Sequence, residues 1–167
     1  MGDEGGDVYF EAVVDVSGWS AMGGLGDPLN SSALLEGTVF IPNVEIAAVC
    51  WDIRVEAAGN SWVSDVGLSV SSGSESIEFF PGDGLAFPGF EDISHPSWLI
   101  VEDVFGEPFY VSEGGTWLEF FDVVDNVFGT ELVFAEGSSI TFGLQVPSPG
   151  TGVVMGVGVC AMVRRRR

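Results

Sequence analysis

The sequence has almost no positive charge before its last four residues. It contains no lysine, one histidine (His95) and a single arginine (Arg54) before residue 164, against 25 aspartate and glutamate residues. Nucleic acids and anionic membrane surfaces would be repelled by such a chain, because both carry negative charge. We therefore exclude nucleic acid as a partner, whereas metal cations and neutral sugars stay open.

Cysteine and histidine are too scarce for several kinds of site. Cys50 lies in a strand-like run and Cys160 in an apolar C-terminal run, so we expect no disulfide between them. Zinc is poorly served by one histidine and one relevant cysteine. His95 is the only imidazole, and no Gly-x-Ser-x-Gly elbow accompanies it. We predict that the protein is not an enzyme.

The most specialised stretch lies at the C-terminus. A short proline motif is followed by an apolar run from Val153 to Val163 and then by four arginines. Because these cations all follow the apolar run, the positive-inside rule predicts a cytoplasmic end. Eleven residues extend only about 16 Å as a helix, against a bilayer core of about 30 Å. We expect a transient anchor rather than a permanent transmembrane helix.

This order of segments resembles the PEP-CTERM type of bacterial sorting tail, which an exosortase processes. The residues are the proline motif Pro147, Ser148, Pro149 and Gly150, the membrane segment Val153, Val154, Met155, Val157, Val159 and Val163, and the basic end Arg164, Arg165, Arg166 and Arg167. The motif reads Val-Pro-Ser-Pro where that family has Val-Pro-Glu-Pro, which leaves the identity of the processing enzyme open.

The resemblance implies an exported, non-catalytic protein of the cell surface or extracellular matrix, associated with exopolysaccharide and biofilm. The tail would hold it briefly in the membrane until an exosortase-type enzyme cleaves near the proline motif. Residues 1–7 have neither the basic region nor the apolar core of a secretory signal. Because a sorting tail requires export, we expect an export signal upstream of Met1, either removed or missed.

The rest of the chain has the pattern of an all-β domain. Apolar and polar residues alternate from Val8 to Val16, the longest strand-like run spans residues 44–56, and Thr116 to Phe121 is another strong strand. Leu85 to Pro96 lacks alternation and is predicted to be irregular. We predict a flexible N-terminus (1–6), a single β-sandwich of jelly-roll kind (7–146) and a sorting tail (147–167) with a short apolar helix.

A second function, carbohydrate binding with calcium in the loops, stays open. Trp19, in the loop after the first strand, and Trp98, near the irregular stretch, are the candidates for a sugar platform, because the other three tryptophans lie on apolar strand faces. Asp122, Asp125 and Asn126 offer the carboxylate and amide oxygens that calcium prefers. The cluster does not match a twelve-residue calcium loop, so a solvated acidic turn is the alternative interpretation.

Overall fold

A computed structural model describes residues 8–37, 39–58, 61–82, 85–124, 132–146 and 161–165. Within these ranges the regular secondary structure is mostly β-strand. The strands are β1 (Val8–Asp15), β2 (Ser20–Ala21), β3 (Ser32–Gly37), β4 (Glu45–Asp52), β5 (Arg54–Ala57), β6 (Val66–Ser72), β7 (Glu75–Phe79), β8 (Gly89–Asp92), β9 (His95–Ile100), β10 (Thr116–Asp122), β11 (Leu132–Phe134), β12 (Ser139–Val146) and β13 (Ala161–Arg165). A 3-10 turn (Val63–Asp65) and a short helix, α1 (Val101–Phe105), complete the described elements.

The first layer consists of two hydrogen-bonded sheets with matching strand orders. One has the order β1-β12-β4-β9 and the other β2-β11-β5-β8. Each pair of strands in matching positions is consecutive in the chain, so the two sheets are halves of one four-stranded layer. Each strand of the layer is interrupted where one sheet ends and the other begins. Backbone hydrogen bonds such as Val16 N–H to Ser138 O and Ile93 N–H to Ile53 O connect neighbouring strands at these interruptions. The interruptions of neighbouring strands therefore lie next to one another across the layer.

The second layer has the order β13-β3-β10-β6-β7. Each of the pairs β1 with β2, β4 with β5, β8 with β9 and β11 with β12 counts as one interrupted strand. When the strands are renumbered 1 to 8 along the chain on this basis, without β13, the order is 1-8-3-6 in the first layer and 2-7-4-5 in the second. Every pairing is antiparallel. This is the order of an eight-stranded jelly roll, as the sequence predicts. Strand β13 is a ninth strand added outside it, against β3.

The core lies between the two layers and is dominated by aromatic and branched side chains. Phe120 of β10 stacks on Phe134 of β11, with 3.9 Å between ring centroids. Trp51 of β4 meets Phe79 of β7 with centroids 6.2 Å apart. Alternate residues of β12 point inward, where Ile140, Phe142 and Leu144 are all buried. Period-two alternation therefore assigns one face of each long strand to the core.

Two predicted elements are wrong in the described residues. The stretch Leu85 to Pro96 contains β8, which pairs with β5 and places Asp92 opposite Arg54. Backbone pairing at the edge of the layer makes it a strand despite its lack of alternation. The predicted C-terminal helix is wrong for residues 161–163, because they belong to β13 and Val163 lies opposite Leu35. The unpaired backbone of β3 supplies the partners that make this segment extended.

Candidate functional site

Trp19 is part of the core, so its prediction as a sugar platform is wrong. Only 1% of its surface is exposed. The turn at Gly18, which has a positive φ of 67°, directs the chain back into the layer, and the Trp19 carbonyl accepts the N–H of Phe134 at 2.8 Å. Its indole Nε1 is buried without a hydrogen-bond partner among the described residues. Although a long polar loop follows Trp19 in the sequence, the turn at Gly18 places the residue in the core.

Trp98, the second candidate platform, is 41% exposed on the outer face of the first layer. The register of β9 explains its position. Leu99 lies opposite Val49 and His95 opposite Trp51, so three residues of β9 face the single residue Cys50 of β4. Such a bulge kinks a strand and redirects its side chains. Pro96 is tolerated here because β9 is an edge strand of its sheet.

The indole of Trp98 extends across the layer as far as β12. Its Cζ3 atom lies 3.5 Å from the position that a Cβ atom would occupy at Gly143, and the Cβ of Ala48 lies 3.3 Å from the same position. Gly143 and Ala48 are themselves paired across β12 and β4, beside a second register shift. The absence of a side chain at Gly143 leaves room for the indole, which keeps 41% of its surface exposed.

A first groove lies on the same outer face, with a volume of about 380 Å³. It is lined by Cys50, Trp51, Asp52, Asp92, Ser94, Pro96, Ser139 and Thr141. Hydroxyl and carboxylate groups form most of its polar surface. Such groups can exchange hydrogen bonds with the hydroxyls of a ligand.

A second groove of about 260 Å³ follows along the strands. It is lined by Glu45, Ala47, Ala48, Ile100, Glu102, Gly143 and Gln145. Gly143, beneath the Trp98 indole, is the next residue of β12 on this face after Thr141 of the first groove. Trp98 therefore stands between the two grooves.

Ser94 organises the acidic side of the first groove. Its hydroxyl donates to Asp52 Oδ1 at 2.7 Å, and its backbone N–H donates to Asp92 Oδ1 at 3.0 Å. The hydroxyl of Ser94, whose single proton can rotate from Asp52 toward Asp92, and the Ser94 N–H together hold the pKa of Asp92 below its usual range, and the charge of Arg54 adds a smaller effect in the same direction. Asp92 therefore stays ionised, and able to accept hydrogen bonds, to a lower pH than is usual for aspartate.

Cys50 is half-buried in the floor of the first groove. Burial raises the pKa of its thiol, a hydrogen bond with Thr141 opposes this effect, and the nearby charge of Glu11 adds to the increase. A thiol with a raised pKa is a weak nucleophile at neutral pH. Cys50 therefore packs the groove as a small, weakly polar side chain.

His95 is exposed at the edge of the same region. Its Nδ1 lies 2.8 Å from the carbonyl oxygen of Ser97, and its ring meets that of Trp51 with centroids 5.2 Å apart. The indole N–H of Trp51 points away from the surface and donates to the Ile93 carbonyl at 3.0 Å. His95 and Trp51 together stabilise the wall of the groove where β9 meets β4.

Asp122, one of the three predicted calcium ligands, lies on another part of the molecule. Asp122 is fully buried at the end of β10, where its Oδ2 accepts the Ser61 hydroxyl at 3.0 Å and its Oδ1 accepts the Val124 N–H at 2.8 Å. Asp125 and Asn126 lie outside the described residues. Within the described ranges, histidine, cysteine and acidic side chains form no group of three that could hold a metal ion.

Most of the predicted sorting tail lies outside the described residues. This applies to Pro147, Ser148, Pro149 and Gly150, to Val153, Val154, Met155, Val157 and Val159, and to Arg166 and Arg167. Val163, Arg164 and Arg165 belong to β13, opposite Leu35, Leu34 and Ala33. In the part of the chain that the structure describes, no helix has the length and apolar character to cross a bilayer.

Sequence reasoning identified Trp98 but missed Gly143 and both grooves. Gly143 interrupts the apolar and polar alternation of β12 with a residue that has no side chain, which is the one local signal of a close approach. Nothing in the sequence pairs Gly143 with Ala48 or brings Trp98 to them, since these residues come from three different strands.

The fold and this surface define the protein as an eight-stranded jelly roll with an exposed tryptophan between two polar grooves. The chain matches no protein-family model, and no curated protein or solved structure is significantly similar to it.

Proposed function

We propose that the chain is an exported bacterial protein of the cell surface or extracellular matrix, delivered through a cleavable C-terminal sorting signal and without catalytic activity. One observation above all supports this proposal. The last strand of the jelly roll, β12, ends at Val146, directly before the proline motif. Cleavage at residues 147–150 would therefore remove the tail and leave all eight jelly-roll strands intact.

The pairing of β13 with β3 adds a physical condition to this proposal. Residues 161–165 cannot occupy the edge of β3 and lie within a bilayer at the same time. Insertion of the tail therefore requires β13 to leave the sheet. The jelly-roll order does not depend on β13, so its departure leaves the domain folded and returns β3 to the sheet edge.

The test uses the full chain behind an export signal, in a bacterium that has an exosortase. We expect a released product that lacks the tail, with a C-terminus within residues 147–150 by mass spectrometry. Replacement of all four residues Arg164 to Arg167 by glutamine should block retention and processing, because the cytoplasmic charge is lost. Arg54→Gln is the matched control, since it removes a cation from the body and leaves the tail unchanged.

Release of a correctly cleaved product from the four-glutamine variant would contradict the proposal. So would recovery of the mature chain from the cytosol with its arginines attached.

A second candidate function is carbohydrate binding by the jelly roll itself. The observation that favours it is the exposed indole of Trp98 between two grooves lined by hydroxyl, amide and carboxylate groups. This combination of a flat apolar surface and polar neighbours suits a sugar ring, which has an apolar face and a polar rim. The two candidates are compatible, because a matrix protein that binds polysaccharide would use both.

A further inference from the structure

We propose that the outer face of the first layer binds a neutral polysaccharide as a chain of several sugar units, with Trp98 as a central stacking platform and one subsite in each groove. This inference rests on the second candidate function and deepens it. It assigns a place to the ligand, a class of ligand and a minimum length, and it gives Gly143 the role of a positioning residue.

The platform follows from the geometry beneath the indole. A tryptophan whose ring is supported from below by small residues keeps one broad face available to solvent. The indole of Trp98 approaches the sheet at Gly143, because a Cβ atom there would be 3.5 Å from the Trp98 ring and 3.3 Å from the Cβ of Ala48. A branched side chain at Gly143 would push against the indole and tilt or displace it.

The number of subsites follows from the positions of the grooves. One groove contains Thr141 and the other Gln145, two residues of β12 that flank Gly143 on the same face. Thr141 and Gln145 are four residues apart on one strand, which corresponds to about 13 Å. A single sugar ring on Trp98 cannot reach polar groups in both grooves, whereas a chain of three or more rings can.

The class of ligand follows from the charges. Asp52 and Asp92 line the first groove, and Glu45 and Glu102 line the second. These carboxylates accept hydrogen bonds from sugar hydroxyls but repel a uronic acid or a sulfated sugar. The ligand is therefore a neutral glycan. Pyranose rings with equatorial β-linkages suit the site best, because they present flat apolar faces to an indole.

The experiment measures binding of neutral hexasaccharides of the cello, xylo, manno and chito series to the full chain by isothermal titration calorimetry. For a series that binds, we expect the trisaccharide to bind well and the monosaccharide weakly or not at all. Trp98→Ala should lower the affinity about tenfold or more, and Trp98→Phe should lower it less. An acidic hexauronate should not bind.

Two further variants test whether the position of the Trp98 indole determines binding, rather than the loss of any exposed tryptophan. Gly143→Val should weaken hexasaccharide binding severalfold while the Trp98 side chain is still present, with folding checked by circular dichroism and thermal melting. Trp62→Ala removes another tryptophan of similar exposure, 47%, which precedes the 3-10 turn and belongs to none of β4, β9 and β12, and should leave the affinity unchanged.

The outcomes distinguish this inference from the function on which it rests. Binding of a hexasaccharide that is unaffected by Trp98→Ala would overturn the assigned site and leave carbohydrate binding intact. Equal affinity for monosaccharide and hexasaccharide would overturn the two-subsite arrangement. Absence of binding to every neutral series would overturn both. In a different outcome, the chain binds no glycan but self-associates, and Trp98→Ala abolishes that self-association. This result would show that the face is an interface between copies of the chain.

Discussion

The rings of Phe120 and Phe134 lie face to face, 3.9 Å apart and inclined by only 16°. Phe120 belongs to the second layer and Phe134 to the first, and both are fully buried. Their contact joins the layers at the part of the first layer formed by β2, β11, β5 and β8. The stack therefore helps hold this part of the first layer against the second layer.

Replacement of either ring by leucine should destabilise the domain. Phe120→Leu keeps an apolar side chain but loses the stack, so we expect the free energy of unfolding to fall by about 1 to 3 kcal/mol. The double variant with Phe134→Leu should show a coupling of about 0.5 to 1.5 kcal/mol in urea denaturation. Phe80→Leu is the control, because Phe80 is 45% exposed. Strict additivity of the two core changes would contradict a direct interaction between the rings.

Two buried tryptophans differ in whether their indole N–H is satisfied, and this difference predicts different responses to phenylalanine. Trp51 donates to the Ile93 carbonyl, whereas Trp19 has no acceptor among the described residues. Trp51→Phe should therefore lose a buried hydrogen bond in addition to volume, and Trp19→Phe only volume. We expect Trp51→Phe to be more destabilising by about 1 kcal/mol in urea denaturation. Equal losses would mean that the Trp51 bond contributes no net stability.

The pKa of Asp92 should depend on Ser94. We expect Ser94→Ala to raise the pKa of Asp92 toward its ordinary value, because the hydroxyl is removed. The folded pKa lies below the unfolded value of about 3.9, so the contribution of this carboxylate to stability is complete above that value. This contribution to stability is lost as the pH falls through the pKa of Asp92 in the folded state. Ser94→Ala should make the loss of stability at low pH smaller.

Carbon-13 NMR titration of the aspartate carboxyl groups measures this effect directly. Ser97→Ala is the control, because Ser97 contributes its backbone carbonyl rather than its side chain to the neighbouring contact with His95. An unchanged titration of Asp92 in Ser94→Ala would contradict the role of Ser94.

Calcium is expected to leave the melting temperature unchanged. Both carboxylate oxygens of Asp122 already accept hydrogen bonds from Ser61 and Val124, so neither is free of protein partners. A ligand that binds only the folded state raises the melting temperature as its concentration increases. A calcium-dependent rise that EDTA reverses, and that Asp122→Asn abolishes, would instead support the calcium site predicted from the sequence at Asp122, Asp125 and Asn126.

The sequence by itself determined the fold class and most of the strands of this protein. Alternation of apolar and polar residues in β1, β10 and β12 is a local property of the chain, and it requires a sheet with one buried face. The excess of acids over cations in the body is likewise independent of the fold, and it predicts that polyanionic partners are repelled.

Only the tertiary structure decided which of the two candidate tryptophans, Trp19 and Trp98, is exposed. Trp19 and Trp98 are equivalent in sequence, because both lie next to irregular stretches, yet one is buried at a bend and the other is redirected outward by a bulge. Likewise, the backbone edge of β3 made residues 161–163 part of a strand, against a sequence pattern that indicates a helix. Contacts between residues distant in the chain determine these outcomes, and local periodicity in the sequence does not predict such contacts.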